Sequence, residues 1–208
     1  MSKSDVFINC PFDQQFKRCF EALIFTITAC GYKARCTLED DDGADIRFEK
    51  LRRLIAECQR SVHDLSRVEL GPNNLPRFNM PFELGMAMGA KYFDGPNKRA
   101  NTALIMVRER YVLPAYLSDL AGNDPFHHNG DPREIVRIVS RYLHKTPAGK
   151  LVPGAQAIND WFVQFQRDLP VLAAEAHRHS GEVDAFNDYR VHLVFVEAFL
   201  KAVQEAGG

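Results

Sequence analysis

Apolar residues over positions 1–146 follow two alternating patterns, short continuous runs and runs at helical spacing. Val6, Phe7 and Ile8 form a compact run closed by Asn9-Cys10-Pro11, which predicts a buried strand ending in a turn. From Gln14 to Cys30, Phe16, Cys19, Phe20, Leu23, Ile24, Ile27 and Cys30 recur at helical spacing, and Gly31 stands where a helix C-cap glycine belongs. Tyr32 to Leu38 reads as a second strand, followed by the acidic loop Glu39-Asp40-Asp41-Asp42-Gly43. A second helix is expected from Asp45 to Gln59, with Phe48, Leu51, Ile55 and Cys58 inward and Arg47, Lys50 and Arg53 solvated. Ser61 to Asp64 reads as a third strand, Val68 to Arg77 as a loop, and Asn79 to Ala90 as a helix. Thr102 to Val107 is a strand, Leu117 to Pro132 is turn-rich, and Arg133 to His144 is an amphipathic helix. This alternation predicts an α/β fold, a flavodoxin-like parallel sheet with helices on both faces, and we expect the strand order 2-1-3-4.

After Thr146-Pro147-Ala148-Gly149 and Pro153-Gly154, which read as a linker, the pattern becomes wholly helical. Ala157 to Leu169 and Asp184 to Ala206 carry apolar faces, broken near His179-Ser180-Gly181. The expected organisation is an α/β domain over 1–146 and a helical extension over 147–208. That extension reads as a helical hairpin packed on the sheet domain or against a second copy, so a homo-oligomer through these helices is one expectation.

Composition narrows the function classes. With Lys+Arg 26 against Asp+Glu 27 there is no basic excess, only short clusters such as Arg52-Arg53 and Lys98-Arg99, which argues against a nucleic-acid partner. The five cysteines form no CxxC pair and no zinc spacing, which fits a reducing compartment. No signal-like segment opens the sequence and no apolar run approaches the roughly 20 residues of a membrane span. A cytoplasmic location without a membrane partner is the expectation.

In a doubly wound sheet, ligands bind beyond the carboxyl ends of the strands, where strand order reverses. The loops concerned are Asn9-Cys10-Pro11-Phe12-Asp13 and His63-Asp64-Leu65-Ser66-Arg67 with its continuation, and the 65–78 segment is long enough to act as a lid. Asn79 as N-cap and Pro81 in the first turn would put Glu83 near a helix start, where the macrodipole favours its ionised form by about 0.3–1 kcal/mol. Such a carboxylate can attack a sugar C1′ or stabilise an oxocarbenium ion. On spacing alone, a plain helix-terminus acid is the weightier reading.

Other groups carry less. Cys10 has no histidine placed beside it and reads as a small buried thiol. Leu38 to Gly43 lacks the leading Asp of an EF-hand and reads first as a solvated loop, with contact of Glu39 to a ribose hydroxyl as the lesser alternative. His127-His128-Asn129 with Asp124 and Asp131 does not converge as metal ligands by spacing, His63 reads as a half-buried strand histidine, and Arg47 and Lys50 form either a phosphate clamp or a solvated helix face.

Three segments occur together: Phe7-Ile8-Asn9-Cys10-Pro11-Phe12-Asp13, Asp64-Leu65-Ser66, and Asn79-Met80-Pro81-Phe82-Glu83-Leu84-Gly85. Their succession resembles the nucleoside 2-deoxyribosyltransferase-like branch of the TIR-like superfamily over Val6 to Ala90. The first loop has Cys10 where that family usually has Gly. The resemblance implies cleavage or transfer at the N-glycosidic bond of a nucleoside, nucleotide or NAD-like substrate. It implies Glu83 as nucleophile or cation stabiliser, Asp64 as the residue that orients sugar or base, and a pocket formed by Asn9, Pro11, Phe12, Ser66 and Asn79. It implies no metal and no redox cofactor, with NAD a substrate rather than a helper. Its alternative is a non-catalytic nucleotide-sensing or oligomerising module, and it points to a bacterial stress or antiphage defence role.

Overall fold

The computed structural model describes residues 2–67, 75, 77–93, 101–110 and 115–206. Five strands, β1 (Ser2–Asn9), β2 (Lys33–Arg35), β3 (Cys58–Asp64), β4 (Thr102–Val107) and β5 (Phe126–His127), form an all-parallel sheet of order β2-β1-β3-β4-β5. The helices are α1 (Lys17–Ala29), α2 (Arg47–Glu57), α3 (Asn79–Phe93), α4 (Pro132–Tyr142), α5 (Ala155–Glu175) and α6 (Tyr189–Ala206). The fold is α/β with a flavodoxin-like sheet. No helix of the described residues is long and apolar enough to cross a membrane.

The central strands are buried on both faces, as parallel strands covered by helices must be. Alternation along β1 sends Val6 and Ile8 into the larger core and Phe7 into a smaller one. The larger core joins the sheet to α1, α4, α5 and α6 through Phe20, Phe25, Ile138, Phe165 and Val196. The smaller joins Phe7 to Leu51, Leu54 and Ile55 of α2. α1 is apolar nearly all round because it lies between the sheet and the last two helices, with rings of Phe162, Phe165 and Phe199 within 5.4–6.1 Å of the Phe25 ring. The C-terminal helices therefore pack on the sheet domain and share its core.

Gly31 ends α1 with φ +80°, its N–H bonded to Thr28 O (2.9 Å) and the Tyr32 N–H to Ile27 O (3.1 Å). This is a Schellman closure, in which a left-handed residue satisfies carbonyls the helix leaves open. Asp131 caps α4 by accepting from Arg133 N (2.8 Å), with Pro132 in the first turn.

Several expected boundaries shift. Strand two shortens to three residues and passes into a 3-10 turn over Thr37–Glu39. Cys58 opens β3 instead of closing α2. Phe48 is not inward but 47% exposed. β5 lies within the turn-rich stretch, two residues long and paired on one side only, too short to show a period. Of the segment expected as a lid, 68–74 and 76 lie outside the described residues, as does the Lys98-Arg99 pair.

Candidate active site

The loops after β1 and β3 meet where strand order reverses, and a cleft of about 360 Å³ opens there beside the start of α3. It is lined by Asn9, Cys10, Pro11, Phe12, Arg47, Arg77, Asn79, Met80 and Glu83. Five of the expected site residues, Asn9, Pro11, Phe12, Asn79 and Glu83, are thus brought together.

Phe82 N–H bonds Phe78 O (2.9 Å), so α3 begins at Asn79 itself and Glu83 is its fifth residue. That is beyond the positions where the macrodipole acts most strongly. Burial dominates instead. Glu83 is only 7% exposed, and the loss of solvent raises its pKa from 4.5 to about 7, with the Arg47 charge opposing. The Arg47 guanidinium lies 3.6 Å from Glu83 Oε1 and is itself 64% exposed, so it offers a loose, solvent-screened partner.

Asn9 is held by a buried chain of polar groups. Its Nδ2 donates to Met80 O (2.9 Å) and to His63 Nδ1 (2.9 Å), and His63 Nε2 meets Ser61 Oγ at 2.9 Å. Full burial lowers the His63 pKa to about 3, so the ring is neutral, and with Nδ1 accepting, its proton is on Nε2. Both Asn9 amide protons are thereby engaged, which leaves Oδ1 to accept from a ligand hydroxyl. Phe12 packs edge-on against Phe20 (5.2 Å) and Phe186 (6.3 Å), so the cleft wall is tied to the core.

Asp64 and Ser66 lie elsewhere. Along β3, Val62 joins the larger core while Ser61 and His63 alternate to the opposite face, so Asp64 points away from Asn9 and Glu83. Asp64 is fully buried: Oδ1 accepts from Ser66 N (2.9 Å), and Oδ2 is 3.0 Å from His128 Nε2. His128 Nδ1 accepts from Gly130 N (3.0 Å), so its proton is on Nε2, which meets Ser66 Oγ at 2.8 Å. A ring whose remaining lone pair is already used cannot deprotonate Ser66, so this trio is not a nucleophile-base pair. Its hydrogen bonds pin the end of β3 to the segment after β5. A second, smaller cleft of about 270 Å³, which includes Ser66, Arg67, Arg108 and His128, lies on this side. Asp13 stands between the two clefts, bonded to Arg67 of one (2.8 and 2.9 Å) and Arg77 of the other (2.9 Å).

No protein-family model matches the chain, and no curated protein does so. The chemistry must be read from the cleft itself.

The remaining candidates resolve into structural parts. Cys10 is 3% exposed and burial pushes its thiol well above the ordinary value, so it is held as the thiol. Glu39 is occupied by the Arg35 fork (2.6–2.8 Å), Asp40 by Arg53 (2.9 Å), and Asp41 by Arg190. Lys50 donates to Asp40 O (2.6 Å) and belongs to the same loop, so only Arg47 of the suggested clamp reaches the cleft. Among the described residues no three His, Cys, Asp or Glu side chains converge as a metal would require. The partnership of His128 with Asp64 was missed in the sequence, because the two lie far apart in the chain and meet only across the sheet ends. Arg77 reads in the sequence as the end of a loop, and nothing there signals its place at the cleft.

Proposed function

We propose that the protein cleaves, or transfers across, the N-glycosidic bond of a nucleoside, a nucleotide or a NAD-like dinucleotide, with Glu83 as nucleophile or as the charge facing an oxocarbenium-like sugar. The observation that carries this reading is a buried carboxylate, in a cleft at the switch point, whose charged partner is an exposed arginine. A carboxylate buried for structure alone is usually matched by fixed donors, and this one has only the loose, exposed Arg47. The resemblance of the three segments adds support, since it puts the same role on the same residue. Glycosidases that break C–O bonds use two facing carboxylates. Glu83 is the one carboxylate among the described cleft residues, and a heterocyclic base leaves more readily than an alkoxide, so N-glycosidic chemistry suits it better.

In this mechanism the free carbonyl oxygen of Asn9 accepts a sugar hydroxyl and so orients the ring over Glu83. Arg47 and Arg77 are cations at the same cleft and suit a phosphate. Asp64 acts at a distance, holding the end of β3 through Ser66 and His128, and is a positioning residue. Only ionised Glu83 can attack, and with a pKa near 7 its competent fraction grows with pH.

The test is release of free base from NAD, nucleosides and nucleoside monophosphates by the parent and by Glu83→Gln. Expected are release by the parent, with kcat/KM rising through an apparent pKa near 7, and a loss of at least a hundredfold in the variant. Equal release by both, or tight binding without release, would overturn the catalytic reading; the second outcome would make the cleft a sensor.

A further inference from the structure

Two exposed aromatic rings stand beside the Glu83 cleft and belong to no core. Phe48, in the first turn of α2, is 47% exposed, and Phe82, in the first turn of α3, is 55% exposed. Their ring centroids are 6.4 Å apart with a 42° tilt. The core beneath α2 is complete without Phe48, being made by Leu51, Leu54 and Ile55 with Phe7. Each ring is the chain neighbour of a cleft-lining charge, Phe48 of Arg47 and Phe82 of Glu83, and those charges are 3.6 Å apart. The ring pair is therefore carried close to the cleft by two helices at once, although neither ring lines it. Ile46, 68% exposed at the same helix start, extends the apolar surface.

A polar cleft with an exposed apolar patch close by suits a ligand with one polar and one flat apolar part. A planar ring sandwiched between two others needs about 3.5 Å on each side, or about 7 Å between their centroids. The observed spacing falls short by about half an ångström and the rings stand 42° from parallel, so a sandwich needs both exposed side chains to turn, whereas a base laid across one ring needs neither to move. A phosphate has no face to stack on a phenyl ring and a sugar offers only C–H groups, whereas every nucleobase has a flat π face.

We propose that Phe48 and Phe82 form a base subsite, which takes the aromatic heterocyclic base of a nucleoside or nucleotide between or across their rings while the sugar lies over Glu83. The placement of the sugar rests on the glycosidic reading above; the ring pair itself does not. Both residues act by contact with the base and determine which leaving groups are accepted.

Calorimetric titration with adenosine monophosphate, cytidine, thymidine and NAD, with ribose 5-phosphate as base-free control, tests the subsite. At least one base-bearing ligand binds the parent, more tightly than ribose 5-phosphate. Phe48→Leu/Phe82→Leu keeps apolar bulk at two exposed sites and removes both π faces, and its affinity falls roughly tenfold or more. Phe48→Tyr/Phe82→Tyr keeps the rings and binds as the parent does, which separates ring loss from a folding defect. Unchanged affinity in the leucine variant, binding of ribose 5-phosphate as tight as that of the best nucleotide, or no binding of any of the four by the parent would each overturn the subsite. Its failure is distinguishable from failure of the chemistry. Base release with unchanged KM in the leucine variant sinks the subsite alone, and ring-dependent binding without base release sinks the chemistry alone.

Discussion

Glu83 is held in a state that costs stability once it ionises. Its pKa is raised from 4.5 to about 7, so the folded protein keeps a proton there that the unfolded chain has already released. Below pH 4.5 the group is protonated in both states and costs nothing. Between 4.5 and 7 stability falls as pH rises, and above 7 the full penalty stands, of the order of 3 kcal/mol. Glu83→Gln removes the ionisable group with little change of shape. We therefore expect the variant to be more stable than the parent at pH 8 and equal to it at pH 4, as read from urea midpoints at the two pH values. An equal difference at both would mean that the gain comes from packing and not from the charge. His63 adds an opposite slope in acid, because it is neutral when folded and gains a proton on unfolding below pH 6.5. The comparison of variant with parent cancels that contribution.

The elements were legible where the apolar pattern was long, and the chemistry where a residue type stood alone. α1, with ten buried residues among thirteen, and Gly31 at its end both read directly from spacing. Gly31→Ala should cost about 1 kcal/mol or more, since a Cβ there has no close steric neighbour and the penalty is that of φ +80° itself. A lowered urea midpoint with unchanged base release checks this; no loss would mean that the closure can relax. β5 was not legible, because two residues have no period, and Phe48 was misplaced, because helical spacing says which face a residue shares but not where the core under that face ends. The site was half legible. Asn9 and Glu83 fall together as expected, but Asp64 was grouped with them by position along the strand, when alternation in β3 had already sent it to the other face. Counting from buried Val62 gives Asp64 the opposite side from His63, and that parity was available in the sequence.

As a whole the molecule ties its first and last parts together. Tyr189 donates to Ala34 O (2.7 Å), Lys17 pairs with Asp184, and Gln166 donates to Glu21 (2.8 Å). Phe162, Phe165, Val196 and Leu200 belong to the same core as Phe20 and Phe25. A chain ended after Gly154 keeps the sheet and α4 against α1 but bares the face that Phe162, Phe165 and Phe199 cover, and aromatic side chains bury about 150–250 Å² each. Such a fragment should bind a hydrophobic dye and lack dispersed amide resonances; a cooperatively folding fragment would show that the sheet half stands alone.

The bond between Tyr189 and Ala34 spans 155 positions, and this sets a delay during synthesis. At roughly 5–20 residues per second, α1 emerges from the ribosome about 8–30 s before its cover has been translated. For that interval α1 rests on the sheet and then on α4, but the face that α5 and α6 will cover stays bare, and it is there that a chaperone on the nascent chain would find its target.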